Sequence, residues 1–551
     1  MRYGAASVDA SGYVRAVGDT WSDGWTGTAA QLLPELRRAA KVPGREHLRV
    51  YVLDMGAMYR ALRRAGVALS AADLTPGPQG VGRIVAGPRV QLSGCDSILP
   101  SGVLSELPDD PAALYAALIE ARAALAGVGA ELRGSLTAAA VDLVVAAAPR
   151  FGYPEPQGGP ITTAAYEAIH AGLCEIWQDS EALATAGAAG VPVEWIGSPE
   201  RLPGGWTIRD EDRVSAYAAE ACGMLPAVHG PAYDDPDAPG GALVLADIDL
   251  DGWAGVALPV RVAYGSQVVH LAATAGAWRG WYTSDLIRYA RARGASVKVA
   301  QAFGWKTAQP FLRPGMMLIA DGKAQHARGT TARAVLSAAA QRVVGGMARR
   351  DPAERIVDAA QLDSMTTDDL SAAGYVARLG RLDGWELVRV APDPAVPRGT
   401  CPVWTAFVVS RAWVTMCERI EAVRAVGGRP LYADTDGLCW AAPPGAQLEC
   451  GDQLGQWQLR GLPEWAWIEA RKIYARGVGQ KITAAASAGI PRADLVWYLD
   501  GGGAPYRWQT LREQIAQNQT EPQQVKVWTQ RTERMKARAQ TPRRLRPQPQ
   551  R

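Results

Sequence analysis

The chain has 551 residues, roughly three or four domain lengths, enough to bury several separate cores. Its 48% apolar and 21% charged residues exclude a disordered, collagenous or coiled-coil protein. Seven cysteines without a CxxC and five scattered histidines without an HExxH exclude a disulfide scaffold, a zinc ribbon and a histidine-rich metal centre. No run approaches the roughly 18 apolar residues of a membrane helix. The best, Leu136 to Pro149, is short and carries Asp142. The start, MRYGAASVDASG, has no apolar signal-like segment. These features predict a soluble, reduced, cytoplasmic protein without a membrane partner.

In chain order, the first 200 residues alternate β and α. Leu48 to Asp54 reads as a buried strand, and Met55 to Gly66 as an amphipathic helix closed by glycine. Strand signals follow from Gly82 to Leu92, then alanine-rich helices over Pro111–Gly129 and Leu136–Ala148. Tyr153 to Pro160 is loop chemistry, Ile161 to Gly187 returns to helix, and the Gly/Pro cluster Pro199–Gly205 marks a domain boundary. Beyond it, a short strand Trp206–Asp210 leads into a helix-like stretch ending near Pro226. An acidic loop, Tyr233–Gly241, precedes a strand Ala242–Ile248. Ser284 reads as the N-cap of a helix closed by Gly294, followed by a strand Val297–Phe303. Long helices are predicted for Thr330–Arg350 and Pro402–Val426, the second carrying Trp404, Phe407, Val414 and Cys417 on one stripe. No repeat of 20 to 50 residues is present, which excludes a solenoid.

The net charge of +3 is unevenly placed. Residues 521–551 carry nine Lys/Arg against Glu521 and Glu533, a net +7, leaving the rest of the chain at −4. Rich in Gln and Pro, this tail is expected to be a disordered basic arm. It suits either a polyanion partner, through counterion release, or plain solubilisation.

The sharpest local signal is Leu431-Tyr-Ala-Asp434-Thr-Asp436-Gly437, after a helix that ends at Gly427-Gly428. In a strand-turn-strand hairpin, alternate residues share a face, so both carboxylates can point the same way. Clustered carboxylates repel unless a hard cation such as Mg²⁺ lies between them. Asp-Thr-Asp-Gly is also ordinary turn chemistry. A second carboxylate shifts the balance: Asp212-Arg-Val-Ser215-Ala-Tyr217 lies 222 residues upstream of Asp434. The neighbouring acids Asp210, Glu211, Asp234, Asp235 and Asp237 have no spacing that distinguishes them from a solvated face.

Asp212-x-x-Ser215-x-Tyr217 resembles the DxxSLYP motif of family B DNA polymerases, with Ala216 and Ala218 in place of Leu and Pro. Tyr432-x-Asp434-Thr-Asp436-Gly437 resembles their YxDTDS motif, with Gly437 in place of Ser, and Lys472-Ile-Tyr474 resembles KxY. The helical KxxxNSxYG motif between them is weak. On Ser337-Ala-Ala-Ala-Gln341-Arg342-Val-Val344-Gly345, Gln341 stands for Asn and the glycine is kept, but Ser337 and Val344 replace Lys and Tyr. Arg333, one helical turn earlier on the same face, is either a substitute cation for the triphosphate or a solvated helix residue. The stretch Gly276 to Leu286 and the length from Arg350 to Cys401 resemble the two insertions of the protein-primed subgroup, and the resemblance covers about residues 206–520.

The resemblance implies a mixed α/β and α+β multidomain chain. A ribonuclease-H-like domain (1–200) would precede a right-hand palm and fingers (201–476), a thumb (477–520) and the tail (521–551). It implies template-directed nucleotidyl transfer with two Mg²⁺ ions, for which Mn²⁺ can substitute. Asp212 and Asp436 would be the metal ligands, with Asp434 in support. Tyr217, Arg333 and Gln341 would face the deoxynucleoside triphosphate. Ser215, Tyr432, Lys472 and Tyr474 would face primer-template DNA, and a terminal protein is a further possible partner. For Tyr217 and Lys472, a core tyrosine and an exposed strand lysine remain the simpler readings. Asp54 and the helix after it resemble the second motif of the family's proofreading nuclease, and Cys95-Asp96-Ser97 with Leu99 a later one. The nuclease acids are missing: no DxE lies near the N-terminus, Met58 fills one acidic position, and Ile119 fills another beside Glu120. A scaffold without proofreading is therefore expected.

The main rival is a non-catalytic descendant that binds primer-template DNA or a terminal protein. A DxD glycosyltransferase accounts for Asp434 and Asp436 but for neither Asp212 nor Lys472.

Overall fold

In the computed structural model the described residues are 2–9, 13–19, 21–40, 48–77, 80–86, 90–104, 106–108, 110–132, 135–148, 159–169, 206–264, 267–348, 354–382, 384–390, 400–434, 436–463, 465–470, 473–478, 481–485, 506–508 and 524–526. The predicted boundary at 199–205, the distal part of the helix predicted over 161–187 and Lys472 lie outside them.

The N-terminal region is built on one sheet. Its strands are β1 (Arg2–Val8), β2 (Tyr13–Gly18), β3 (Trp21–Thr28), β4 (Leu48–Val52), β5 (Leu74–Gly77), β6 (Gly80–Val85) and β7 (Val90–Gly94), in the order β3-β2-β1-β4-β7-β6-β5. β1 to β3 form an antiparallel meander, while β4 runs parallel to both β1 and β7. The near-continuous apolar run of β4 suits a central parallel strand covered on both faces. Helices α1 (Ala29–Ala40) and α2 (Met55–Arg64) pack on this sheet. Asp54 caps α2, its carboxylate accepting from the Ala57 amide at 2.8 Å. Next come α3 (Ser101–Leu104), α4 (Pro111–Gly127), α5 (Leu136–Ala146) and α6 (Pro160–Ala168). Asp110 caps α4 ahead of Pro111 at its first turn.

The second half begins with β8 (Thr207–Arg213), α7 (Ala216–Ala221) and β9 (Leu225–Pro226). β8 runs three residues past the predicted end at Asp210, because it is paired on both sides, and so Asp212 lies inside the strand. The predicted helix up to Pro226 is only the six residues of α7, since Leu225 and Pro226 pair with β15 (Ala308–Gln309). Strands β10 (Ala242–Asp249), β13 (Ala277–Thr283) and β14 (Ser296–Gly304) form an antiparallel sheet. β11 (Leu258–Tyr264) and β12 (Gln267–Ala273) form a hairpin. α8 (Ser284–Ala292) has Thr283 at its N-cap position, one residue earlier than predicted and without a side-chain capping bond. Ser284 instead ties the helix to the sheet, its buried hydroxyl accepting from the Ala242 amide at 3.1 Å.

Two antiparallel helices follow, α9 (Arg313–Ala324) and α10 (Thr331–Met347), the second capped by Thr330. A small sheet of β16 (Glu354–Asp358), β17 (Tyr375–Leu382) and β18 (Trp385–Val390), with α11 (Ala359–Asp363) and α12 (Thr367–Ala372), occupies the second predicted insertion. The 24-residue α13 (Pro402–Ala425) is about 36 Å long at 1.5 Å per residue. Strands β19 (Arg429–Asp434), β20 (Gly437–Ala442) and β21 (Trp457–Gly461) join β8 in the order β19-β20-β8-β21. A three-stranded sheet of β22 (Trp465–Ala470), β23 (Ile473–Val478) and β24 (Lys481–Ala485) comes next. β25 (Tyr506–Trp508) then pairs with β26 (Gln524–Lys526). At Gln524–Lys526 a strand thus replaces the disorder expected from Glu521 onward, and the rest of the predicted tail lies outside the described residues. Gln524-Val525-Lys526-Val527 has the two-residue alternation of a strand, which the net charge of the segment concealed.

Three apolar cores result. One lies under the N-terminal sheet. The second joins α4, α5 and α6 to α7, α9, α10 and the first half of α13 through Trp404, Phe407 and Val408. The third joins β10, β13, β19 and β20 to the second half of α13 through Trp413, Met416, Cys417 and Ile420. At about 1.5–3 kcal/mol for each fully buried large apolar side chain, α13 is the element whose burial ties the second and third cores together. Among the described residues, no helix is long and apolar enough to cross a membrane.

Candidate active site

Asp212 and the Asp434–Asp436 turn meet across the β19-β20-β8-β21 sheet. Gly437 of β20 pairs with Asp434 on one side and with Asp212 on the other, so the three residues share one rung. Adjacent strands lie about 4.8 Å apart, which places the two aspartate backbones about 10 Å from each other. Gly437 at the centre adds no side chain between them. Asp436 is fixed alongside, its carbonyl accepting from the Arg213 amide at 2.6 Å. Residues 222 positions apart in the chain are thus brought together by strand pairing.

β8 sends neighbouring carboxylates to opposite faces. Glu211 is fully buried toward α13, where its Oε2 accepts from Arg419 Nη2 at 2.6 Å and Nε at 3.0 Å. This corrects the view of Glu211 as a solvated acid, as does the 7% exposure of Asp210. Asp212 turns the other way, is 26% exposed, and pairs with the guanidinium of Arg460 on β21 through two N–H groups.

After Asp212 the chain makes a pinned turn. The Val214 amide donates to the Gln456 carbonyl, the Gly455 amide donates to the Val214 carbonyl, and Arg213 Nη1 pairs with Glu220 at 2.6 Å. Ser215 lies in the left-handed region at φ 50°, the one described non-glycine residue with positive φ. Such backbone costs about 1–3 kcal/mol and marks an over-determined position. The Ser215 hydroxyl accepts from Lys323 Nζ at 3.0 Å. Lys323 ends α9 facing this turn, and burial holds its ammonium below the usual lysine range, with Arg333 and Arg460 adding to the effect and Asp212 opposing it. Sequence reasoning missed Lys323. The available signal was a lysine in the last turn of the helix immediately before the one expected to carry the cation.

Arg333 is held at the start of α10. Its Nη1 donates to the carbonyls of Lys323 and His326, at 3.1 and 2.9 Å, and closes the α9–α10 connection. Gln341 is exposed on α10. Tyr217 packs partly buried against the helical core, and Tyr432 is buried on β19 with 5% exposure. Tyr474 lies on β23, its side chain outside the described set like that of Asp434.

Among the described residues no three His, Cys, Asp or Glu side chains converge on one point. The residue types nevertheless suit a hard divalent ion: oxygen donors at 212, 434 and 436 are drawn together by the backbone. The place beside Asp212 also attracts a cation, since a guanidinium takes it.

No protein-family model matches the chain, and no curated protein matches its sequence. Solved structures do. Phi29 DNA polymerase complexed with primer-template DNA and incoming nucleotide substrates superposes with a TM-score of 0.58 at 12% identity, covering 88% of this chain and 89% of that one. The orthorhombic crystal form of phi29 DNA polymerase gives 0.58 with 88% and 90% coverage, and its complex with single-stranded DNA gives 0.56 with the same coverage, both at 12% identity. Along most of its length, then, this chain has the fold of phi29 DNA polymerase.

Proposed function

We propose that the chain is a template-directed DNA polymerase that extends a primer 3′ hydroxyl with deoxynucleotides. The observation that carries the reading is the shared rung of Asp212, Gly437 and Asp434, which unites two sequence motifs of family B polymerases. Asp212 and Asp436, with Asp434 beside them, would hold magnesium. When bound, the ions would ease deprotonation of the attacking hydroxyl and stabilise charge on the attacking and leaving oxygens.

The chain's own residues supply placement. Lys323, drawn over the Ser215 turn, offers a cation to the phosphates of an incoming nucleotide, taking the part first expected of Arg333. Tyr217 follows on the same turn, where the family places the nucleotide sugar. The sheet holds the carboxylates rigid, and rigid charge placement is the larger part of such catalysis. Primer-template DNA, nucleotides and a terminal protein are the proposed partners, and Lys472 and Tyr474 are kept as proposed primer contacts.

The N-terminal sheet order, an antiparallel meander followed by two parallel strands, supports a ribonuclease-H-like scaffold. β1 has no acidic residue, Met58 is buried, and the Glu120 carboxylate accepts from the Ala332 amide at 2.9 Å. Proofreading is accordingly not proposed. The boundaries at 200, 476 and 520 stand as proposed divisions, although α4 to α6 share their core with the polymerase half.

Primer extension with Mg²⁺ or Mn²⁺ tests the reading. Wild type should incorporate templated nucleotides, while Asp212→Asn and Asp436→Ala should lose incorporation by several orders of magnitude and keep their fold. The Arg460 cation on Asp212 favours the second reading, a non-catalytic DNA-binding descendant. A folded wild type that binds primer-template and incorporates nothing would establish that alternative.

A further inference from the structure

Arg460 has no place in the chemistry above, yet it makes the closest charged contact with Asp212. β21 pairs with β8 regularly at Trp457↔Arg213, Gln458↔Asp212 and Leu459↔Glu211, then resumes at Gly461↔Asp210. Arg460 is the extra residue of a β-bulge. Bulges next to sites re-aim side chains, and this one turns the guanidinium back onto the rung of Asp212. Nε and Nη2 both donate to Asp212 Oδ2, the first at 3.0 Å. Both N–H groups converge on one carboxylate oxygen, which makes the pair charge-assisted and directional despite 48% exposure of the arginine. Lys323 and Arg333 add positive charge close by, as the depressed Lys323 ammonium records. The carboxylate rung therefore carries its own neutralising cation.

We propose that Arg460 is a built-in counterion of Asp212 that a divalent cation must displace. The inference rests on the metal-binding reading of Asp212. A carboxylate already neutralised by arginine binds a divalent ion weakly. Displacement leaves the guanidinium beside the same rung, where an incoming anion can take it up. Metal binding to the protein alone would then be poor and would improve when a triphosphate accompanies it.

The test is Mn²⁺ binding to the full chain without DNA or nucleotide, read by loss of the free-ion electron paramagnetic resonance signal. Wild type, Arg460→Gln, Arg460→Lys and Asp212→Asn are compared, with thermal melts to verify folding. Removing one half-exposed opposing pair should tighten Mn²⁺ binding in Arg460→Gln by about three- to tenfold. Arg460→Lys, which keeps the charge and loses the fork, should fall between. Unchanged or weaker binding in Arg460→Gln, with Asp212→Asn abolishing the site, overturns the counterion role and leaves Asp212 a metal ligand. Equal binding by Arg460→Gln and Asp212→Asn overturns the metal reading itself.

Discussion

The position of Lys323 depends on the residue before it. Gly322 of α9 faces Val128 at the end of α4. A Cβ at 322 would overlap Val128 Cγ1 and lie 3.7 Å from Val128 Cβ and 3.5 Å from Leu336 Cδ1. Gly322→Ala must push α9 away from α4, an overpacking cost of about 1–3 kcal/mol. Alanine in a helix interior regains about 0.5–1 kcal/mol, so the net loss is about 0–2.5 kcal/mol. On a Val128→Ala background the offending methyl is gone and the nearest remaining atoms are in ordinary contact. There Gly322→Ala should be neutral or stabilising. Urea denaturation of the four proteins should thus give a coupling of about 1–3 kcal/mol, well outside the roughly 0.5 kcal/mol scatter of independent sites. Nucleotide binding should weaken in the single variant and recover in the double, because Lys323 moves with α9. Additive stabilities would refute the close packing of α9 on α4.

Arg419→Met removes the hydrogen-bonded cation of the fully buried Glu211 and leaves only Arg209 Nε, 3.6 Å from its other oxygen, so it should cost up to about 3 kcal/mol, read as a lowered urea midpoint. Lys323→Met should raise the melting temperature and weaken triphosphate binding, since burial disfavours the charged ammonium in the fold. The sign for pH follows. Protonated Lys323 costs stability at neutral pH, and the cost disappears as pH rises through its lowered folded value. Triphosphate affinity should consequently fall at a pH below the ordinary lysine value of 10.5, and binding titrations across alkaline pH check this. Ser215→Gly relieves the left-handed strain and deletes the acceptor of Lys323. Stability should change by less than about 1 kcal/mol while nucleotide affinity drops.

How far these features could be read from the chain varies with the length scale of their cause. Strand β4, the capped α2, and α4, α5, α10 and α13 were legible, because apolar periodicity, cap residues and glycine stops act within a few residues. Asp212 and the Asp434–Asp436 turn were legible as motifs, and their pairing needed only adjacent strands. The surroundings of Glu211 and Arg333, neither of them a freely solvated residue, escaped the sequence for one common reason. Burial beneath α13 and the closing of the α9–α10 connection are set by partners far along the chain or around a bend, to which charge and spacing are blind. Lys323 and Arg460 were missed because each acquires meaning only from a tertiary neighbour, Ser215 in one case and Asp212 in the other.

The same long-range logic ties the N-terminal region to the helices of the second half. α10 is held to it at both ends. The Glu120 carboxylate takes the Ala332 amide at one end, and Arg342 donates to the carbonyls of Ser97 and Asp96, at 3.0 and 3.1 Å, toward the other. Gly315 and Gly346 let α9 and α10 approach α5 closely: a Cβ on the first would collide with Val144 Cα, and one on the second would meet the Thr137 and Val141 methyls at 2.8 Å. A separable N-terminal module could be lost without touching the helices over Ser215. Here α4 and α5 form one wall of the core on which α9 and α10 rest, so their removal would expose Val335, Leu336, Ala339 and Val343 together. Helices that carry Lys323 to the Ser215 turn are therefore positioned from the N-terminal side as much as from the β19-β20-β8-β21 sheet.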